Sequence, residues 1–305
     1  MTSLRAAALE RLGLTPERLF AEHPALIFAR GSGPGRAGPL AGQGGFDFPT
    51  SWCRAGAGYA QTPPDAARPP AQPGSVGDLT GGATLAGAIC AALFRRERTG
   101  KGGTVDHSLY GMGAYIMTQS ITRASLTSAR PAGGQTPAFN DPLVRLYRTA
   151  DQRWLSLCFL KDAWWPDLAR ALGREDLAAD ARFATATSRS ANAQALIDAL
   201  DAIFAARTLA QWCGALAGIE GVWAPLLSPA EVLADEQALA NGYVIAVGSD
   251  EDAYRSVATP GQFDERLVGS LQPAPGYGEH TEQVLSESGL SAQEIQSLRE
   301  AGVIA

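Results

Sequence analysis

The sequence predicts an α/β protein with a second, smaller α+β unit. Three observations carry that reading. Two short strand-like segments, ALIFAR (Ala25–Arg30) and TVDHSL (Thr104–Leu109), flank a long helix of small residues. A Pro/Gly/Ser-rich stretch, TSARPAGGQTPAFNDP (127–142), marks a linker. Beyond it a strand pair is followed by several helical patterns, so the elements change order as well as kind.

At 305 residues the chain has room for two domains, and 46% hydrophobic against 18% charged residues is enough to bury a sizeable core. The net charge of −6 argues against a general nucleic-acid or anionic-membrane binder. Cys53, Cys90, Cys158 and Cys213 are far apart and form no metal or redox pair. His23, His107 and His280 share no helical ligand spacing, so no metal centre is expected. Glycines and a threonine interrupt the most apolar run, Leu79–Phe94, and no membrane span is expected from it. The opening MTSLRAAALERLG reads as a short amphipathic helix rather than a signal peptide, which points to the cytoplasm.

In chain order, the first helix ends at Gly13, and Thr15 caps a second one with Pro16 at its first position. After ALIFAR, Gly33, Gly35 and Gly38 match a dinucleotide-binding G-x-G-x-x-G. Pro39 and the glycines up to Gly45 prevent the helix that such a site needs, so the stretch is a loop. Residues 49–77, rich in Pro, Ala and Gly, read as an irregular wall. A helix from Leu79 to about Arg98 stops at Thr99-Gly100, with basic residues at its negative end. A strand (TVDHSL) and another helix (YGMGAYIMTQSITRASL) follow. Past the linker, two strands turn at Ala150–Gln152, helical segments follow, and GVWAPLL and GYVIAVG close a unit of roughly 143–247. An extended Pro/Gly segment and a helical pair end the chain.

The stretch GSVGDLTGG (Gly74–Gly82) poses the functional question. Asp78 at the mouth of an apolar helix is by default an N-cap. The glycines on both sides leave room for something to approach the backbone. The positive end of a helix also favours an ionised carboxylate, the form that attacks an electrophile. Capping and catalysis are both open.

GDLTGGATLAGAICAALFRRERTGKGGTVDHSL resembles the segment of class III (CaiB/BaiF-type) CoA-transferases that carries a nucleophilic aspartate. The resemblance runs through LRAAALERLGL, the NPxLI-like HPALIF, the GPGRAGPLAGQGGFD loop, DLAADARFATATSRSANAQAL and the final LREAGVI, in family order. Gly103 replaces the usual Gln of the TGxGQ motif, and Ala6-Ala7 replace Pro-Gly after Arg5. The family pattern also starts with a further N-terminal segment that this sequence does not contain.

The resemblance implies a Rossmann-like, nucleotide-binding-type large domain made of residues 1–126 and 248–305, with 143–247 inserted as the small domain. It implies transfer of coenzyme A from an acyl-CoA to a carboxylic acid through an aspartyl anhydride and an aspartyl-CoA thioester on Asp78. Thioester replaces thioester, so neither ATP nor a metal is required. Gly44, Gly45, Gly81 and Gly82 are candidate backbone donors to the oxyanion, with tight turns as the structural alternative. Arg5 matches an arginine near the CoA nucleotide. Arg95 and Lys101 belong to a basic cluster that is either a phosphate clamp or a solvated helix end. Racemases of the same fold carry His before the Asp of the GxD motif and a Glu after the first small-domain strands, where Phe46 and Lys161 stand here. A non-catalytic partner subunit is the remaining alternative. The implied assembly is an interlocked homodimer, or a heteromer with a chain supplying the N-terminal segment.

Overall fold

Gly13 and Thr15 set the first chain reversal. In the computed structural model, which describes residues 1–126, 141–248, 253–267 and 271–304, helix α1 (Ala6–Leu12) ends on Gly13 in the left-handed region at φ 66°. Thr15 then accepts the Arg18 amide to cap α2 (Pro16–Glu22), with Pro16 in the first turn as expected. Strand β1 (Ile27–Ser32) follows, then a loop, a π-helix (Phe48–Cys53), α3 (Ala57–Ala60) and the 24-residue α4 (Val76–Thr99). Gly100 closes α4 at φ 70°, and β2 (Gly103–Ser108) runs parallel to β1, from Ile27 opposite Gly103 to Ser32 opposite Ser108. Helices α5 (Leu109–Ile116) and α6 (Thr118–Leu126) complete this part. Helix α4 packs on both strands, on α5 and on the π-helix. A long helix joining two parallel strands is the elementary α/β unit, and its strand ends and helix N-terminus face one cavity.

Three features depart from expectation. Residues 49–77 are not irregular throughout: the π-helix buries Thr50 and Ser51, polar residues whose inward position no apolar periodicity announces. The single helix expected over 110–126 breaks at Met117 into α5 and α6. Helix α4 is longer than expected, and an 18-residue window within it has mean hydropathy 1.4. By length and composition it could therefore cross a membrane, and with only 17% of that window buried it is not enclosed as a core helix. The glycines and threonine thought to interrupt it fit inside a continuous helix, so they do not shorten it.

The chain divides into two compact units, Met1–Asp141 and Pro142–Ala305. In the second, β3 (Val144–Arg148), β4 (Trp154–Cys158) and β5 (Val222–Pro225) form an antiparallel sheet in the order β3-β4-β5. Gln152, at φ 62°, turns β3 into β4 where the sequence places a turn. Helices α7 (Trp165–Ala171), α8 (Glu175–Ala179), α9 (Ala186–Ala191), α10 (Ala193–Phe204) and α11 (Leu209–Leu216) lie between β4 and β5 in the chain. They share a core with the sheet in which Tyr147 stacks on Phe204 at 4.9 Å and Phe204 meets Trp212 at 5.0 Å. Trp165 is buried there as well.

Two short helices, α12 (Pro229–Val232) and α13 (Glu236–Ala240), lead to the hairpin β6 (Val244–Val247) and β7 (Tyr254–Val257). The pair β8 (Gln262–Phe263) and β9 (Arg266–Leu267) and helices α14 (Thr281–Glu287) and α15 (Ala292–Glu300) end the chain. Residues 248–305, expected with the N-terminal domain, group with 142–247 instead. The β6–β7 ladder, Arg255 donating to the Leu233 carbonyl at 2.6 Å and Gln262 donating to the Asn241 carbonyl at 2.7 Å tie residues 254–262 to the segment before them. All but the last two residues of the expected 127–142 linker lie outside the described residues.

Arg189 is wholly buried in this second core and donates to Asp162 at 2.7 Å and to the Phe183 carbonyl. Removing a partner from a buried charge costs more than the intact pair gains. Asp162 is half-exposed and water screens part of the loss, so Asp162→Ala is expected to destabilise the protein by on the order of 2 kcal/mol. Urea unfolding followed by tryptophan fluorescence measures this.

Candidate functional site

The N-terminal unit holds a cavity of about 1030 Å³, walled by the start of α1, the end of β1, the glycine loop 33–45, the π-helix, the first turns of α4 and the end of β2. Asp78 lines it. Asp78 is not the cap of α4: the capping position is Ser75, and Asp78 is already the third helical residue, with its side chain exposed. Among the described residues no hydrogen bond holds its carboxylate.

Another carboxylate does the capping. Asp47, 8% exposed, sits at the π-helix's start and accepts the backbone amides of Asp78, at 3.0 Å, and Gly77. It also accepts the Gln72 side-chain amide at 2.8 Å and the Ser51 hydroxyl. Burial alone would push the Asp47 pKa up, but these donors outweigh it and hold it below the usual 3.8. Gly77 makes the arrangement possible, because a Cβ there would collide with the Asp47 carboxylate and the Ser51 hydroxyl. The orphan amides at the start of α4 are thus satisfied from outside the helix, which releases the Asp78 side chain toward the cavity.

Gly81, one turn beyond, lies against the His107 ring, whose Cε1 would be 2.7 Å from an added Cβ. The His107 pKa is lowered by burial, and its Nε2 has no partner among the described residues. Gly81 and Gly82 line the cavity but cannot serve as the expected oxyanion donors. They stand in the interior of α4, where each amide already donates to a carbonyl four residues back. Their contribution is clearance: nothing lies within 4 Å of a Cβ on Gly82. In the loop, Gly45 packs tightly on Gly33 and Thr50. The amides of Gly44 and Gly45 have no partner among the described residues and remain candidate donors.

Of the expected cationic residues, Arg5 lines the cavity and Arg95 and Lys101 do not. Arg95 lies roughly 25 Å along α4 from Asp78 at ~1.5 Å per residue, too far to share its site. There it donates to the Gly102 carbonyl at 3.1 Å and packs on Gly103, a helix-terminating role. The cavity has three further guanidiniums that sequence reading missed. Arg30 and Arg36 share Asp106, at 2.7 and 3.4 Å, across the ends of β1 and β2, while Arg54 stacks over the Tyr110 ring at 5.5 Å. Phe46, which stands where racemases carry His, is 82% exposed on the cavity wall. Lys161 lies instead in the second unit, over the Trp164 ring. No group of three or more acidic, His or Cys side chains that could hold a metal occurs among the described residues.

Comparison with known proteins matches residues 1–281 to the model of CoA-transferase family III. The chain is 29% identical to a (R)-2-hydroxy-4-methylpentanoate CoA-transferase of Clostridioides difficile, over all of this chain and 76% of that protein. It is also 27% identical to the α-methylacyl-CoA racemase of Homo sapiens, over 98% of this chain and 77% of that one. A solved CAIB/BAIF family protein from Brucella suis superimposes with a TM-score of 0.76 at 26% identity, covering 93% of this chain and 74% of that one.

Asp47→Asn tests the capping arrangement. The amide keeps one acceptor but turns two N–H groups toward existing donors, so a loss on the order of 2 kcal/mol is expected at neutral pH. The wild-type carboxylate has a lowered folded pKa. Its stabilisation is therefore complete above the usual carboxylate value and is lost as pH falls through the lowered one. The variant should be missing that acid-side decline, measured by denaturant melts between about pH 3 and 7. Equal stability and equal pH slopes in both proteins would refute the arrangement.

Proposed function

The chain belongs to CoA-transferase family III, and on that premise we propose that it moves coenzyme A from an acyl-CoA to a carboxylic acid with Asp78 as nucleophile. The observation that carries this reading is the division of labour at the start of α4. One carboxylate, Asp47, is spent on the helix amides, and the other, Asp78, is exposed to a cavity large enough for a substrate.

In the proposed sequence a carboxylate oxygen of Asp78 adds to the thioester carbonyl, and the carbon–sulfur bond breaks to give an aspartyl anhydride and CoA thiolate. The thiolate then attacks the Asp78 carbonyl and releases the donor acid as its carboxylate. The acceptor carboxylate attacks the resulting aspartyl-CoA thioester, forming a second anhydride and freeing the thiolate again. Attack of that thiolate on the acceptor carbonyl yields the new acyl-CoA and restores Asp78. Each adduct passes through an oxyanion, for which the Gly44 and Gly45 amides are the proposed donors. Arg5, Arg30 and Arg36 supply positive charge for the CoA phosphates. The racemase reading needs a base on each side of the α-carbon, and Phe46 supplies none.

We further propose a homodimer in the cytoplasm. Leu79 and Phe94 on α4 and Tyr115 on α5 are 74%, 66% and 75% exposed, and only 17% of the most apolar window of α4 is buried, which leaves apolar side chains for a second copy to cover. The four cysteines are free thiols. Light scattering at micromolar concentration should give twice the chain mass, and a monomer would refute the dimer.

Asp78→Asn keeps shape and hydrogen-bonding capacity while removing the attacking charge. Turnover is expected to fall by at least about 10³-fold, as for loss of other covalent nucleophiles. Stability should change by less than ~1 kcal/mol, because Asp78 is not the cap. Hydroxylamine added during turnover should leave a hydroxamate on Asp78 in the wild type and none in the variant, by peptide mass spectrometry. Similar rates in both proteins would exclude Asp78. A wild type inert toward acyl-CoA donors would favour the non-catalytic subunit.

A further inference from the structure

His107 is a polar residue of the cavity wall that the reaction proposed above leaves without a task. Its backbone is fixed on both sides. It pairs with Gly31 in the β1–β2 ladder, and its carbonyl accepts the Ser32 hydroxyl at 3.1 Å. The ring lies against Gly81, where an added Cβ would stand 2.7 Å from Cε1, 3.3 Å from Nε2 and 3.7 Å from Nδ1. Nε2 is buried there with no partner among the described residues. Nδ1 is neither hydrogen-bonded among those residues nor buried in the same way, and His107 lines the cavity that Asp78 lines.

These contacts place the imidazole beside the nucleophile. Asp78 and Gly81 are three apart on α4, so their Cβ positions share one face at roughly 5–6 Å. Adding the 2.7 Å from Gly81 to Cε1 bounds the distance from the Asp78 Cβ to the ring at roughly 8 Å. A tetrahedral adduct on the Asp78 carboxylate spans that gap once one hydrogen bond is added. The glycine loop is drawn to the same end of β2, because the Tyr110 amide donates to the Gly33 carbonyl at 3.1 Å and Gly45 packs on Gly33.

The ring nitrogens differ in what they can do. An N–H on Nε2 would be a buried donor with nothing to accept it, which folded proteins rarely leave. The proton therefore belongs on Nδ1, where the cavity is open. A second proton would bury a charge as well, and burial lowers the His107 pKa below its usual 6.5. The ring is then a neutral donor. A cation beside Asp78 would pair with the carboxylate and blunt its attack, whereas a neutral N–H leaves it basic.

We propose that His107 is a catalytic residue whose Nδ1–H donates to the oxyanion formed when Asp78 attacks the thioester carbonyl. The proposal rests on the CoA-transfer reading. Attack moves the carbonyl π pair onto oxygen, collapse returns it and expels the thiolate, and the Nδ1 proton stays on nitrogen throughout. His107 thus adds a side-chain donor from β2 to the loop amides of Gly44 and Gly45.

His107→Leu and His107→Asn separate this role from packing. Leucine fills similar space and removes a buried unpaired nitrogen, so its stability in urea should equal or exceed that of the wild type. Exchange of isotope-labelled acetate into acetyl-CoA, a minimal acceptor and donor, measures turnover. In His107→Leu kcat should fall by on the order of 10²-fold with KM for acetyl-CoA nearly unchanged, as for loss of one oxyanion donor. Asparagine carries an amide N–H at the place of Nδ1 and should recover at least about tenfold of that loss. A His107→Leu kcat within about twofold of the wild type overturns the proposal, and so does an asparagine variant no faster than the leucine one.

Nitrogen NMR of protein carrying isotope-labelled histidine reads the tautomer directly. The chain has three histidines, and the signal missing from His107→Asn identifies this one. Protonation of Nδ1 alone is expected at neutral pH, and protonation of Nε2 or of both nitrogens overturns the proposal. If the wild type exchanges no acetate, that failure belongs to the transfer reading, and the same signal decides for His107. A shift of Nδ1 with acetyl-CoA but not with free CoA sustains donation to the thioester carbonyl. Equal shifts, or none, overturn it.

Discussion

The hydrogen bonds between Asp47 and the first turn of α4 are the constraint on which the site depends. A helix start presents amides that need acceptors, and a buried carboxylate needs donors. Here each answers the other, with Ser51 and Gln72 taking up the remaining acceptor capacity. Because the acceptor comes from a different element, the helix's own acidic residue has no capping duty. Local chemistry alone would have assigned Asp78 to the cap, and the tertiary contact reassigns it.

The same contact explains the glycines. Gly77 lets the π-helix close on α4, and Gly81 lets α4 close on the His107 side chain of β2. Two helices and a strand pair converge within van der Waals distance at the mouth of one cavity. A methyl group at either position would force them apart and shift the backbone that carries Asp78. Gly82 and Gly44 have open space in front of them and keep the cavity wall low. The glycines are thus not one motif with one purpose. Their roles differ with the neighbour each faces.

Charge in the cavity is divided by pairing. Asp106 at the end of β2 holds Arg30 and Arg36 together, so a concentrated positive region survives in a chain whose net charge is −6. The second unit uses charge differently: Arg189 is buried by its contacts with Asp162 and the Phe183 carbonyl and serves the core alone. The identity of a charged residue therefore says little about its function until its partners are known.

The sequence by itself determined the strand–helix–strand order around α4, the stops at Gly13 and Gly100, the cap at Thr15, the turn at Gln152 and the family to which the chain belongs. These are local signals: propensity, left-handed glycine, capping chemistry and motif order are all written in neighbouring residues. It also singled out Asp78, Arg5 and the glycine loop, which do meet at one cavity. Tertiary structure alone decided what each of them does there. Asp47 and Asp78 are 31 positions apart, so no window of sequence could show that one caps for the other. The basic run at Arg95 and Lys101 looked like a clamp because charge is visible in sequence and distance along a helix axis is easily overlooked. Gly81 and Gly82 looked like donors until the helix was seen to run through them and use their amides. Arg54 was passed over because a π-helix leaves no periodic pattern, and its direction follows only from the turn that the folded chain takes.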